Sequence, residues 1–413
     1  MPALQVSPIV AALDHPEVTL DRETVPAVAL SLVDAFAAVP DPRKARGIRH
    51  GVAAILLLGA CAVLTGARSF AAIAEYAHDT GRTILDTLGV GAVVPHACTI
   101  RRVLSDLDPA AVEAAMRAWV QAQRVQTPAS DGVPAREQRQ VLAVDGKTVR
   151  GARISTSTST AAAAAEGYRQ PHLVSALDQA SGAVLGQVAV EEKGSEVAAF
   201  TTLLDTLDLT DVLVTADAAH TNRNHADYLH ERGAHYLLTA KRNQPTLLRR
   251  LRALPWAQIE VAARERGRGH GRIEARTISV VSLDPCPDRG GAFFPHAAQA
   301  IKVVRRRRAL GSRKWTTVTV YAITSLTAVQ ADPVLLARWL RGHWAIEALH
   351  WVRDVSFDED RSQVRTGNGP QIMAALRNLV ITALRLAGVT NIAAALRHHA
   401  RDPHRPLATY KIT

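Results

Sequence analysis

The chain has 413 residues, more than a single hydrophobic core ordinarily organises, so two or three domains are expected. Hydrophobic residues make up 47% and charged residues 21%, a globular composition that excludes a disordered or fibrous protein. The net charge of +11 and the isoelectric point near 10.0 favour a polyanionic partner, either nucleic acid or an anionic membrane surface. The three cysteines have no paired spacing, which excludes a zinc cluster and predicts three buried thiols.

The basic charge is concentrated in one segment, Lys241 to Trp315. This segment holds eighteen basic and five acidic residues, an excess of +13, so the rest of the chain sums to −2. A solvated basic loop is one explanation for any single run such as Arg305 to Arg308. Repulsion on this scale is more easily tolerated opposite phosphates, so the segment predicts contact with nucleic acid.

The first part of the chain has the pattern of a small helical domain. Residues 1–25 are expected to be a leader, and their acidic residues argue against a signal peptide. Residues 26–125 have helical spacing, and the apolar run from Gly51 to Ala67 is too short and too glycine-rich for a membrane span. A buried helix is the better interpretation, which predicts a cytoplasmic protein without a membrane segment. Residues 126–140 form a polar linker.

The pattern then changes to strands alternating with helices. Apolar β-rich runs occur at Val141–Asp145, His172–Asp178, Ala183–Val190, Asp211–Asp217 and His235–Lys241. Helical stretches separate the last three of these runs. This order predicts an α/β domain with a mixed sheet flanked by helices.

The basic segment has an alternating pattern of its own. Residues from about 255 to 326 predict a β-rich insertion that exposes positive side chains. Helical periodicity returns after Pro333, and residues 391–413 are expected to form a basic C-terminal tail.

Acidic residues end two of the predicted strands. Asp145 and Asp217 each follow an apolar run, and sites in α/β sheets form where strands end. Paired carboxylates with substrate phosphates suit Mg²⁺, although either aspartate alone is better explained as a turn or helix-cap residue. Glu347 lies among apolar residues of a predicted helix and would need a partner if buried. The run Asp358 to Asp360 offers rival ligands or a solvated acidic stretch.

Four stretches, in this order, resemble one family. The helical stretch DPRKARGIRHGVAAILLLGACAVLTGARSFAAIAEY precedes AVDGKTVRGAR, TADAAHTNRNHADYLHERGAHYLLTAKRNQPTL and RGHWAIEALHWVRDVSFDEDRSQVRTGNGPQIMAALRNL. Together they resemble the H-repeat-associated branch of the DDE insertion-sequence transposases. HGRIEAR and ITSL match the basic insertion of that branch. The resemblance covers roughly Asp41 to Gly388, most of the chain.

This resemblance implies an RNase H-like catalytic core over residues 141–390. It assigns Asp145, Asp217 and Glu347 as three carboxylates that bind two Mg²⁺ ions, with Mn²⁺ as a substitute. His343 stands where many relatives of the wider superfamily carry arginine, and Asp354 where they carry lysine. Neither position is therefore assigned a phosphate-handling role, and His220 and His343 are expected to be structural histidines.

Candidate contacts to DNA come from the KRNQ motif and from the basic insertion. The predicted DNA-binding residues are Lys241, Asn243, Gln244, Arg272, Arg305, Arg306, Arg307 and Arg308. Lys147 is a further candidate for phosphate contact, with ordinary surface charge as the alternative.

The implied function is that of a transposase that cuts the ends of an insertion sequence and joins them to target DNA. The implied partners are the terminal repeats and the target, bound by a homodimer located in the cytoplasm and nucleoid-associated on DNA. A decayed or domesticated relative that only binds DNA is the alternative, and a plain metal-dependent nuclease is a third reading. No P-loop or dinucleotide fingerprint is present, so ATP and NAD are not expected.

Overall fold

The protein is described by a computed structural model that covers residues 30–46, 48–125, 135–155, 168–190, 196–269, 271–283 and 294–412. The predicted leader and residues 126–134 of the predicted linker lie outside the described residues. The remainder of that linker contains a short helix.

Within residues 30–125, as far as the structure describes them, the first domain contains six helices. They are α1 (Leu32–Ala37), α2 (Val52–Leu64), α3 (Phe70–Asp79), α4 (Arg82–Thr87), α5 (Ala97–Asp106) and α6 (Pro109–Val125). Serine N-caps begin two of them: Ser31 accepts from the Asp34 backbone N–H, and Ser69 from that of Ala72. α2 is apolar on every side and all but one of its residues are buried, which confirms the predicted buried helix. Within the described residues, no helix combines the length and apolarity that crossing a bilayer requires.

A nine-stranded sheet organises the second domain. Its strands are β1 (Val141–Thr148), β4 (His172–Asp178), β5 (Val184–Val190), β6 (Leu213–Ala216), β7 (His235–Ala240), β8 (Ala263–Gly269), β9 (Arg272–Ser282), β10 (Gln299–Ala309) and β11 (Thr316–Thr324). The spatial order is β5-β4-β1-β6-β7-β11-β10-β9-β8. β4 runs antiparallel to β1 and β5, whereas β1, β6 and β7 are parallel. This five-stranded mixed arrangement is the RNase H-like fold, and the predicted β-rich insertion extends the same sheet. A separate ribbon pairs β2 (Ile154–Ser155) with β3 (Tyr168–Arg169).

Helices cover both sides of the sheet. The helices that contact it are α8 (Glu196–Leu204), α9 (Arg223–Glu231), α10 (Pro245–Arg252), α11 (Pro333–Gly342), α12 (Trp344–Val355) and α13 (Gly369–Leu386). The short helix α7 (Ala135–Gln138) precedes β1, and α14 (Ile392–His399) and α15 (Arg405–Tyr410) pack on α13. α13 packs against α2, α5 and α6 as well as β5, so one apolar core runs from the first domain into the second.

Two sequence predictions are wrong. The C-terminal segment is not a tail: α14 and α15 bury Leu396 and Tyr410, and the Tyr410 hydroxyl donates to the Ala60 carbonyl of α2 at 3.3 Å. Cys98 is exposed in the first turn of α5, whereas Cys61 is buried with a pKa raised by burial to about 12. Cys286 lies outside the described residues.

A carboxylate is buried where the two domains meet. Glu113 of α6 faces Gln187 of β5, whose side-chain amide lies 3.4 Å from it. Burial raises the pKa of Glu113 to about 7, although the charges of Arg117 and Arg353 oppose that rise. Near neutral pH the domain boundary therefore contains a carboxyl group that keeps its proton only in the folded chain.

The substitution Glu113→Gln is expected to remove a pH dependence of stability. Between pH 4.5 and about 7 the folded chain retains a proton that the unfolded chain loses, so the free energy of unfolding falls as pH rises through this window. The full effect is on the order of 3 kcal/mol. Urea unfolding at pH 5 and pH 8 checks this, because the variant should gain stability relative to wild type at the higher pH. An identical difference at both pH values would contradict the assignment.

Candidate active site

Asp145 and Asp217 occupy matching positions on neighbouring parallel strands, just beyond the last residues that pair. β6 ends at Ala216, but β1 continues through Asp145 to Thr148 beside β4, so the prediction that Asp145 ends its strand is wrong. The register pairs Val144 of β1 with Ala216 of β6, so the next residue of each strand is an aspartate. Neighbouring strands lie about 4.8 Å apart, which brings the two carboxylates to the same edge of the sheet. The structure therefore places these two predicted site residues together.

Asp217 also caps the turn that follows its strand. Its Oδ1 accepts a hydrogen bond of 2.6 Å from the backbone N–H of Ala219. Its Oδ2 lies 4.0 Å from the Nζ of Lys241, the residue that follows β7. The cap and the site are thus compatible, because each uses a different carboxylate oxygen.

Glu347 reaches the same region from α12, which packs over β1 and β4. Burial and then the negative charge of Asp145 raise the pKa of Glu347, while Lys241, His350 and Arg305 oppose the rise. The exposed Glu347 carboxylate therefore lies close enough to Asp145 for their charges to repel.

A histidine that the sequence did not single out contacts Asp145. His350 lies one helical turn after Glu347, and its Nδ1 is 3.5 Å from Asp145 Oδ2. Burial raises the pKa of Asp145, but the hydrogen bond and charge of His350 outweigh burial and leave that pKa below its ordinary value. The i, i+3 spacing from Glu347 was the signal that could have identified His350.

The two histidines expected to be structural are held inside the fold. His343 Nδ1 lies 3.1 Å from Thr215 Oγ1, and burial lowers the pKa of His343 against the charges of Asp145 and Asp217. His220 is fully buried, and its ring stacks on Phe200 at 4.8 Å between ring centres.

The sequence offered two roles for Lys147, contact with phosphate or ordinary surface charge. The structure supports neither, because the side chain is buried among protein carboxylates. It lies two residues beyond Asp145 on the same side of β1, where α12 covers it and leaves the side chain 8% exposed. Its Nζ lies 2.6 Å from Asp354 Oδ1, 3.3 Å from Asp360 Oδ1 and 3.9 Å from Glu359 Oε2. Lys147 therefore joins the central strand to α12 and to the turn that follows it.

The three-acid run is not uniformly solvated, because Glu359 is fully buried. Its oxygens accept from Arg353 of α12 at 2.9 and 3.0 Å and from Arg377 of α13 at 2.9 Å. Burial raises the pKa of Glu359, but the two guanidinium groups outweigh burial and hold it at about 2. Glu359 is consequently an internal counter-ion and not a rival ligand for the site.

The KRNQ motif lies beside Asp217. Asn243 donates to the backbone carbonyl of Ala218, in the turn that Asp217 caps, so it positions that turn. Gln244 is half-buried at the start of α10, and Lys241 is exposed next to Asp217.

The predicted arginines of the insertion do not act as one group. Arg305 lies over the ring of Trp344 at 5.4 Å, next to Glu347, and is the member of the set that reaches the site. Arg306 and Arg308 lie over Trp315 instead, and Arg307 is exposed. Arg272 pairs with Glu274 at 2.7 Å.

The donor set suits a hard divalent cation. Carboxylate oxygens are the ligands that Mg²⁺ prefers, and a cation between Asp145 and Glu347 would relieve the repulsion that raises the pKa of Glu347. In the described part of the chain, no three His, Cys, Asp or Glu side chains are grouped closely enough to hold an ion by themselves.

The fold and the site together define a class: an RNase H-like protein with acidic residues on two adjacent central strands, where their parallel pairing stops. Residues 136–383 match the family model described as transposase DDE domain, and residues 33–120 match its DDE_Tnp_1-associated domain. The chain belongs to the transposase DDE domain family, whose members generally act with divalent metal ions.

Several proteins similar in sequence to this chain are named as putative transposases. The chain is 29% identical over 371 residues to "Putative transposase YncI" of Escherichia coli O157:H7, covering 86% of this chain and 87% of that protein. It is 26% identical over 364 residues to "H repeat-associated putative transposase YhhI" of Escherichia coli K12, covering 86% and 90%. A solved structure, a piggyBac transposase synaptic complex with hairpin DNA, is similar at 11% identity and a TM-score of 0.38 over 92% of this chain and 77% of that one. The strand order, rather than that distant likeness, identifies the fold.

The substitution Glu359→Gln is expected to destabilise the protein strongly. It leaves the buried Arg353 and Arg377 without a counter-charge, and breaking a buried pair in this way costs about 3–5 kcal/mol. The free energy of unfolding in urea measures the loss.

Asp358→Asn is the matched control in the same acidic run. Asp358 is about one-third exposed and lies 3.4 Å from Arg68, a pair worth about 0–1 kcal/mol. Asparagine also tolerates its left-handed backbone conformation, with φ of 55°. Equal losses in the two variants would show that Glu359 is not the internal counter-ion described above.

Proposed function

We propose that the protein is an active transposase that cuts the ends of an insertion sequence and joins them to target DNA. The observation that carries the proposal is the placement of Asp145 and Asp217 immediately after the last parallel pair of β1 and β6, with Glu347 of α12 close enough to Asp145 to be affected by its charge. The family membership supports the same reaction class.

The three carboxylates would hold two Mg²⁺ ions, with Mn²⁺ as a substitute. Such a pair supplies Lewis-acid stabilisation of both the attacking and the leaving oxygen in an in-line displacement at phosphorus. His350 keeps Asp145 ionised and oriented, and Asn243 holds the turn that carries Asp217. Lys241 and Arg305 border the acids and would bind the phosphates that flank the reacting one.

Both chemical steps fit one site. Activated water would nick the element end, and the freed 3′ hydroxyl would then attack target DNA at the same carboxylates. No covalent intermediate with a protein side chain is required. Two element ends imply two catalytic subunits, so we propose that a homodimer assembles on the terminal repeats in the cytoplasm.

The alternative is a relative that binds DNA without cutting it. All three acids are present, and the charge of Asp145 acts on Glu347. The charges of Asp145 and Asp217 both act on His343, which supports catalysis. A metal-dependent nuclease would share the site but would not join ends to a target.

The test is a cleavage and strand-transfer assay on labelled element ends with Mg²⁺ or Mn²⁺, comparing wild type with Asp217→Asn. Asparagine keeps the cap on Ala219 and removes one anionic ligand, so the fold should persist while activity falls. We expect cleavage and joining to decrease at least about a hundredfold, corresponding to ~3 kcal/mol of lost transition-state stabilisation.

Asp227→Asn is the control, because it removes the same charge from a half-exposed aspartate of α9 paired with His296 at 3.0 Å. It should retain near-wild-type activity. Full activity of Asp217→Asn would refute the site. Binding without cleavage by wild type would favour the DNA-binding relative, and cleavage without joining would favour the nuclease.

A further inference from the structure

The pleat of the sheet separates the arginine run of β10 into two faces. Successive side chains of a strand point to opposite faces, so Arg305 and Arg307 lie on one face and Arg306 and Arg308 on the other. The register of β8, β9 and β10 has no irregularity, so the same division extends across all three strands.

The face that carries Arg305 and Arg307 is the one on which the candidate active site lies. Arg305 lies over Trp344, three residues before Glu347. Glu265 of β8 pairs with Arg341 of α11, the helix that immediately precedes α12. We call this side of the insertion the catalytic face.

Acidic residues partly neutralise the catalytic face. Glu274 pairs with Arg272 at 2.7 Å and with Arg276 at 2.6 Å, and Arg276 lies 3.6 Å from Glu265. Arg272 and Arg276 of the sheet, and Arg341 of the neighbouring helix α11, are therefore all engaged with protein carboxylates.

The opposite face carries a grid of arginines. Arg266 of β8, Ala275 of β9 and Arg306 of β10 lie in one row, and Arg268, Ile273 and Arg308 lie in the next. Arg264 extends the β8 side, opposite Thr277. We call this feature the arginine channel; its residues are Arg264, Arg266, Arg268, Arg306 and Arg308, with a floor of Ile273, Ala275 and Thr277.

The dimensions of the arginine channel follow from sheet geometry. Its two arginine walls stand two strand spacings apart, about 9.6 Å, and successive arginines of one wall are about 6.8 Å apart. No ion pair joins its five arginines to any acid in the described ranges, and the three on β8 are exposed. The channel thus presents five positive charges around a small, uncharged floor.

Trp315 orders one wall of the channel. The guanidinium groups of Arg306 and Arg308 lie 5.1 and 5.2 Å from its ring centre, and Arg308 also donates to the Ser312 carbonyl at 2.8 Å. Stacking on an aromatic ring fixes guanidinium groups without using their outward-facing donors. This wall is therefore arranged in advance for anionic oxygens.

Protection of a sheet edge does not explain the arginine channel. Charged side chains on an edge strand prevent unwanted pairing, and β8 is the edge strand of this sheet. β10 lies in the interior of the sheet, between β9 and β11, yet it contributes one wall. A function in binding accounts for both walls.

We propose that the arginine channel binds the sugar-phosphate backbone of a second DNA segment, distinct from the one whose phosphate lies at Asp145, Asp217 and Glu347. The channel and the carboxylates lie on opposite faces of one sheet. DNA is stiff over about 150 base pairs, so a short duplex on one face cannot bend around the edge to the other. The inference deepens the proposed function, on which its biological meaning rests, by giving a transposase separate surfaces for two duplexes.

The test measures how many short mixed-sequence duplexes the full-length chain binds, by titration calorimetry without divalent metal. Two matched double variants each remove two charges: Arg266→Gln with Arg268→Gln from the channel, and Arg305→Gln with Arg307→Gln from the catalytic face. We expect wild type to bind two duplexes per chain. Each double variant should weaken a different one at least tenfold, reducing its salt slope by about two because each lost phosphate contact changes the slope by about 0.9.

Combining the two double variants gives the decisive comparison. Effects on separate duplexes should add in the quadruple variant, whereas effects on one shared duplex should not. One duplex per chain in wild type, or both double variants weakening the same binding event, would overturn the proposal. Arg306→Gln, on the interior strand, repeats the channel test should the edge-strand variant unfold.

The titration is independent of catalysis. A wild-type chain that binds two duplexes but never cuts would refute the proposed strand cleavage and leave the arginine channel intact. A chain that cuts and joins DNA while binding a single duplex would do the reverse.

Discussion

The buried charge cluster of Arg353, Glu359 and Arg377 is the constraint on which the rest of the active site depends. Removing these groups from water costs several kcal/mol per ion, which two guanidinium groups around one carboxylate offset only with good geometry. Apolar side chains could fill the same volume, but they would lack the directional hydrogen bonds that this cluster makes between α12 and α13. With Lys147 attached to Asp354 on the same helix, the cluster fixes α12 to β1 and α13 in one register. A slip of one turn, about 5.4 Å, would carry Glu347 away from Asp145.

Two glutamates twelve residues apart show how structural and functional acids differ. Glu359 is buried, yet its cationic neighbours hold its pKa at about 2. Glu347 is largely exposed, yet partial desolvation of its carboxylate and then the charge of Asp145 raise its pKa. Two guanidinium groups neutralise the carboxylate of Glu359, whereas the nearby cationic side chains do not offset the effect of burial and of Asp145 on Glu347. An acid in that condition, on a helix that packs over the central strands, is a candidate for binding cations from solution.

Short-range sequence patterns were sufficient to predict the two aspartates and the mixed sheet that carries them. Asp145 and Asp217 ended recognisable apolar runs, and the strand and helix order predicted the mixed sheet. Lys147 and Glu359 were misjudged because their surroundings come from residues far along the chain, such as Asp360 for Lys147 and Arg377 for Glu359. The alternation of Arg305 to Arg308 was visible in the sequence. Which alternate residues face the carboxylates depends on sheet order and on Trp344, neither of which a single strand reveals.

The insertion is rigidly oriented because it continues the catalytic sheet. β11 pairs antiparallel with β7, and this junction is reinforced where Thr324 donates to the Tyr236 carbonyl at 2.7 Å and the Tyr236 N–H donates to Ser325 at 3.0 Å. A loop carrying the same arginines would sample many directions and would lose conformational entropy on binding. Strands joined to β7 through β11 instead hold each guanidinium group on a defined side of the sheet. The sheet therefore determines on which side of the molecule each arginine lies. Because successive side chains of a strand point to opposite faces, one run of arginines contributes to both the catalytic face and the arginine channel.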